Sequence, residues 1–134
     1  MISLREISAP NRTCKNHITY NNRHISILAA EYLLKKGHQH IGFMPLANSE
    51  LFGERAKVFE QVMLKSGKKY SYTPPTDHAD LFDTPVNLEK VLSEYFSGPD
   101  RPTALFIPAD TVTSLAYPML YSLGIIPGRD IEVV

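Results

Sequence analysis

The stretch ISILAAEYLLKKGHQHIGFM, residues 25–44, decides the fold class. Ile25, Leu28, Ala29, Tyr32 and Leu33 recur at three- and four-residue steps, the period that collects side chains on one face of a helix. Gly37 ends that helix, because glycine takes the left-handed C-terminal conformation without strain. The apolar run from His40 to Met44 follows at once and is stopped by Pro45, so it reads as a short strand. A helix feeding a strand through a tight glycine turn is the repeating unit of an α/β fold.

Outward from this unit the alternation continues. Upstream, HITY at 17–20 reads as a strand. Downstream, LANSELFG at 46–53 reads as a loop. A helix is predicted over 54–65, with Ala56, Phe59, Val62 and Met63 inward and Gly67 at its end. Residues 69–73 form a predicted strand broken by Pro74 and Pro75, and the acidic, aperiodic stretch 76–85 reads as the longest loop. A helix over 86–96, the nearly continuous apolar strand TALFI at 103–107, a helix over 111–123 closed by Gly124, and a last strand IEVV at 131–134 complete the pattern. With about five strands, four helices and no Asn-Gly or Asp-Gly hairpin signal, the chain is expected to form an open, mainly parallel sheet with helices on both faces. Such sheets place ligands beyond the carboxyl ends of their strands, here residues 20–23, 45–53, 74–83 and 108–111.

Composition narrows the function classes. The chain has 134 residues, 14 Lys and Arg against 14 Asp and Glu, and 43% hydrophobic residues. A domain of this size buries a core without disulfides or metals. Zero net charge, without a basic stripe, argues against direct nucleic-acid binding by these residues. The single Cys14 can form no intramolecular bridge, and the polar start of the chain lacks the apolar run of a secretory signal, so a cytoplasmic location is expected. No Gly-rich phosphate loop follows a strand and no Gly-x-Ser-x-Gly elbow is present, so no enzyme activity and no cofactor are expected. His38 and His40 lack a third ligand at metal spacing; no metal site is expected, and His38 is read as packing at a helix C-terminus.

Four ordered motifs carry a resemblance to a known family. Residues 29–44 resemble its Leu-x-x-x-Gly-His helix end followed by an Ile-led strand. Arg55, four residues before Phe59, is similar to its Arg-x-x-Gly-aromatic motif, with Val58 in place of the glycine. RPTALFIPAD at 101–110 resembles its Pro-Thr-Ala strand ending in Asn-Asp, and GIIPGRDIEV at 124–133 resembles its Gly-apolar-x-Pro stretch followed by Asp-Ile-x-Val. The family is the LacI/GalR transcription regulators, in their periplasmic-binding-protein-like effector domain.

The resemblance implies that residues 17–134 are the C-terminal lobe of a two-lobed domain, and that residues 1–16 are the tail of the preceding lobe and hinge. It also implies that a helix-turn-helix or winged-helix head lies outside these residues. A small-molecule effector, a sugar or related metabolite, would bind between lobes, and the parent protein would act as a homodimer on DNA, without a membrane. The same fold also serves solute-binding proteins of ABC-type sugar transporters, the alternative reading.

The candidate ligand residues are Arg55, Asp110, Asn21, Asn22, Ala109 and Phe52. Arg55 offers five fixed donors beside a strand-end loop; its other reading is a surface pair with Glu54 or Glu50. Asp110 follows the central strand, where it is equally placed to cap the next helix. Ala109 stands where the family often has Asn, which removes a bidentate hydrogen-bonding group. Asn21 and Asn22 stand where the family commonly has Asp-Asn; they are also ordinary turn residues. Phe52 is a candidate pocket wall or a packing residue under its loop.

Overall fold

The computed structural model describes residues 2–3, 16–17, 20–44, 50–72 and 84–134, with residues 2–3, 16–17, 50–52 and 84–87 described by their backbone alone. Its elements run β1 (Ile2–Ser3), β2 (Asn16–His17), α1 (Asn22–Lys35), β3 (His40–Phe43), α2 (Glu50–Ser66), β4 (Lys69–Tyr72), α3 (Thr84–Phe96), β5 (Ala104–Phe106), α4 (Asp110–Ser122) and β6 (Glu132–Val133). The main sheet has four strands in the order β4-β3-β5-β6, every neighbouring pair parallel. The expected architecture is therefore present with one strand fewer. Of the strand read at 17–20, residues 18–19 lie outside the described residues, and His17, with Asn16, pairs in parallel with Ser3 and Ile2 in a separate two-stranded sheet. Tyr20 lies outside any strand and Asn21 caps α1, so helix initiation claims the end of the run read as extended.

Strand alternation distributes the core. Ile41, Phe43, Ala104 and Phe106 pack with Ala29, Ala30 and Leu33 of α1 and with Ala56, Phe59 and Met63 of α2. Met44, Leu105 and Ile107, whose parity is opposite, pack with Leu88, Leu92 and Tyr95 of α3 and with Val112, Ala116 and Leu120 of α4. The result is three layers, with a central sheet apolar on both faces as a parallel sheet requires. On the α1–α2 side, the ring of Phe43 lies 5.1 Å from that of Phe59, 5.6 Å from Tyr72 and 5.2 Å from Phe106, centroid to centroid. Val58, in place of the family's glycine, is buried.

On the opposite side, Tyr95 crosses β3 at Gly42. Its hydroxyl donates to the Phe43 carbonyl at 2.8 Å, and a Cβ at Gly42 would lie 3.2 Å from the Tyr95 ring and 2.6 Å from Leu105 Cδ2. Glycine is what permits that approach. At the far edge, Lys36, the C-cap of α1, donates to Glu132 of β6 at 2.7 Å, and this bond is the main reason the Glu132 carboxyl sits below its ordinary range.

Element boundaries differ from the sequence reading where breakers misled it. α2 begins at Glu50, a turn before the expected Glu54, because Gly53 sits inside the helix, where it costs about 1 kcal/mol relative to Ala and does not end it. α3 begins at Thr84 because Pro85 falls in the first turn, where a missing N–H leaves no intrahelical bond unmade. The loop 46–49 and the stretch 76–83 lie outside the described residues.

A polar cluster joins the amino ends of β3 and β4. His40 is buried, its Nε2 shares a 2.7 Å hydrogen bond with Ser71 Oγ, and its Nδ1 has no hydrogen-bond partner, with Asp100 Oδ1 at 3.5 Å. Burial lowers the His40 pKa below the ordinary histidine value, and the Lys69 ammonium adds to the effect. The native state therefore takes up this proton less readily than the unfolded chain does. The stabilisation is complete above about pH 6.5 and is lost as pH falls below it toward the native value. Urea midpoints are expected to fall between pH 7.5 and 5.5 more in the wild type than in His40→Gln; equal falls would show that other groups set the slope.

Candidate functional site

The chain order of the sheet locates the site. β3 leads through α2 to β4 on one side, whereas β5 leads through α4 to β6 on the other, so the connections part between β3 and β5. Crevices form at the carboxyl edge of a parallel sheet at such a point. There the amino ends of α1, α2 and α4 converge on the end of β5.

Arg55 of α2 stands at the centre of this edge. It is 7% exposed, and its Nε and Nη2 donate to Asn22 Oδ1 at 3.0 and 2.9 Å. Its Nη1 donates to the Pro108 carbonyl just beyond β5. Arg55 thus forms a buried tie between α2, the start of α1 and the end of β5; of the two carboxylates considered from sequence as its surface partners, the Glu50 side chain lies outside the described residues. A guanidinium suits this task because its planar fork reaches two acceptors in fixed directions.

Asn21 is the N-cap of α1, and its Oδ1 accepts from the His24 backbone N–H at 3.0 Å. Asn22 is the first helical residue and is half-buried. The two asparagines therefore have different tasks: one caps, the other receives Arg55. Asn21→Ala is expected to cost about 1 kcal/mol in chemical denaturation, the usual value of an N-cap; an unchanged midpoint would mean that water replaces the cap.

Asp110 does not cap α4, contrary to one reading of the sequence. Ala109 holds the N-cap position in an extended conformation, φ −150° and ψ 140°, and makes no side-chain cap bond. Asp110 is the first helical residue, and its Oδ1 accepts from the Thr111 N–H at 2.8 Å. The Ala109 carbonyl accepts instead from the backbone N–H and the hydroxyl of Thr113, both at 3.2 Å. The shift by one residue follows from where β5 releases the chain, and it leaves a carboxylate in the positive first turn of α4, where it is favoured.

Arg55, Asn22, Ala109 and Asp110 thus come to one edge, with Asn21 beside Asn22. Phe52 belongs to α2, but its side chain lies outside the described residues. Sequence reasoning missed Pro108, whose carbonyl takes the Arg55 bond; the available signal was its place at a strand end in one of the expected ligand segments. It also missed an open groove of about 680 Å³ beside this edge, lined by Ile25, Leu28 and Tyr32 of α1 and by Pro108, Asp110 and Val134. His38 is half-buried after α1, with Nδ1 2.9 Å from Thr103 Oγ1. Among the described residues no three His, Cys, Asp or Glu side chains gather to hold a metal ion. No helix among them is long and apolar enough to cross a membrane.

One lobe of a periplasmic-binding-protein-like domain is the class that this sheet order, helix placement and switch point define. Solved structures of LacI-family transcription regulators share the fold over most of the chain. One, described as a ribose operon repressor from Burkholderia thailandensis, is 26% identical with a TM-score of 0.66, over 87% of this chain and 42% of that one. A second, described as a maltose operon transcriptional repressor from Staphylococcus aureus, is 19% identical with a TM-score of 0.68, over 87% and 41%. A third, a LacI family regulator from an Arthrobacter species in complex with lactose, is 15% identical with a TM-score of 0.67, over 87% and 43%. The chain therefore spans less than half the length of each of these structures. No family model and no curated protein matches the sequence. The resemblance to LacI-family effector domains read from the four motifs holds in the fold.

Proposed function

We propose that these residues form the C-terminal lobe of the effector-sensing domain of a LacI-type transcription regulator. A sugar or related small metabolite binds at the carboxyl edge of the sheet, between this lobe and a second one. Closure of the lobes then changes the spacing of DNA-binding heads across a homodimer, as a ligand must do when it prefers one of two conformations. The parent protein works in the cytoplasm, meets DNA only through its head and has no catalytic role.

The observation that carries this reading is the buried tie of Arg55 to Asn22 and Pro108. It brings planar hydrogen-bonding groups from three elements to the one edge where a parallel sheet forms a crevice, which is what a hydroxylated ligand needs. The ribose, maltose and lactose named for the similar structures favour a carbohydrate. Exposed Tyr20, next to the Asn21 cap, supplies an aromatic face of the kind that packs against a sugar ring.

The test is a thermal-shift screen of the complete protein with ribose, maltose, lactose and their phosphorylated forms. A ligand at 100 times its Kd stabilises by about 2.7 kcal/mol and raises Tm accordingly. A flat response to every sugar, alongside a response to another metabolite class, would remove the carbohydrate from this reading.

A further inference from the structure

The Arg55 tie fixes more than backbone position. A guanidinium carries only donors, so a side-chain amide bonded to it twice must present its oxygen, and the amide nitrogen is then turned away. Asn22 is bonded in this way, by Nε and Nη2 on a single Oδ1. Among the described residues no acceptor is bonded to its Nδ2. Its neighbour is constrained in the same sense, because an N-cap amide receiving the His24 N–H must also present oxygen. Two adjacent asparagines thus direct their oxygens into the protein and leave amide N–H2 groups at the carboxyl edge, one half-buried and one exposed.

We infer that Asn22 is the specificity-determining residue of this edge and that Arg55 acts on ligand through it, as a positioning residue. The Asn22 amide is held as a donor and reads an acceptor oxygen, such as a hydroxyl, ring or carbonyl oxygen, on the ligand face turned toward α1. Without Arg55 the amide can rotate and present either group, and that discrimination is lost. The inference rests on the reading of this edge as an effector site.

Asn22→Asp separates the two roles. A carboxylate keeps both Arg55 bonds, now charge-assisted, and is favoured at the first helical position, but it has no donor left. The complete protein carrying Asn22→Asp is expected to unfold at or above the wild-type Tm while binding the sugar found in the screen at least about tenfold more weakly, one lost hydrogen bond to a donor. Asn22→Ala is expected to lose both stability and affinity. Unchanged affinity in Asn22→Asp would overturn the inference, since a merely structural tie survives in that variant.

A second measurement decides the geometry if no sugar binds, an outcome that would count against the sensing reading alone. Hydrogen exchange by NMR is expected to show a protected Arg55 Nε–H beside fast-exchanging Asn22 Nδ2 protons. A protected Asn22 amide would show that the donor is already taken inside the protein and would overturn the inference.

Discussion

Phe43→Ala is expected to destabilise the protein by about 3–5 kcal/mol, the range for emptying a fully buried aromatic site. Phe43 is completely buried at the carboxyl end of β3, and its ring touches the Phe59, Tyr72 and Phe106 rings at centroid distances of 5.1 to 5.6 Å. These partners come from α2, β4 and β5, so no single element can move to fill the void. Tilted and edge-on ring pairs also add attraction beyond the area they bury. Against a total stability of about 5–15 kcal/mol, a loss on this scale removes most of the folded population's margin. Urea denaturation reads it as a lower midpoint at unchanged slope. A loss below about 1 kcal/mol would mean that the aromatic cluster collapses onto the space.

Arg55→Ala is expected to weaken effector binding in the complete protein by about 2–3 kcal/mol, the scale of a charged hydrogen-bonding group, or about 30- to 150-fold in Kd. The side chain holds Asn22 and the Pro108 carbonyl together, so its removal loosens three segments of the site at once. Arg55→Lys is not expected to rescue binding, because an ammonium cannot reproduce the planar fork on Asn22 while reaching Pro108. A ligand titration indifferent to both substitutions would take Arg55 out of the site.

The fold was legible because periodicity survives in each element. The i, i+3, i+4 spacing from Ile25 to Leu33, and the uninterrupted apolar strand at 103–107, follow from burial, which acts on every residue of a helix face or central strand. Boundaries were less legible because Gly53 and Pro85 break helices in most places and do not do so here. The sheet to which His17 belongs was not legible, because the four residues of HITY carry too little period to separate a strand in the main sheet from a two-residue pairing elsewhere. Of the candidate residues that meet at this edge, Asn22, Ala109 and Asp110 were read from strand ends, and Arg55 from its place near the start of a helix and from the family's Arg-x-x-Gly-aromatic motif. The division of labour between Asn21 and Asn22, and the identity of the α4 cap, were not. Both depend on which residue takes the first helical dihedral, and a one-residue shift leaves composition and periodicity unchanged.

The strand order also bears on the sequence of events in folding. β3 and β5 are neighbours, yet Thr103 meets His40 across 63 positions of chain, with α2, β4 and α3 in between. Closing a loop of that length costs about 4 kcal/mol in chain entropy before its contacts form. The helices and the β3–β4 pair can assemble earlier and at lower cost. The contact between Arg55 and Pro108 spans the same closure, so the edge that would hold a ligand exists only after β5 has docked. During synthesis, such a ligand would recognise only a lobe whose sheet is already assembled, and its binding would report completed folding as well as the presence of the metabolite.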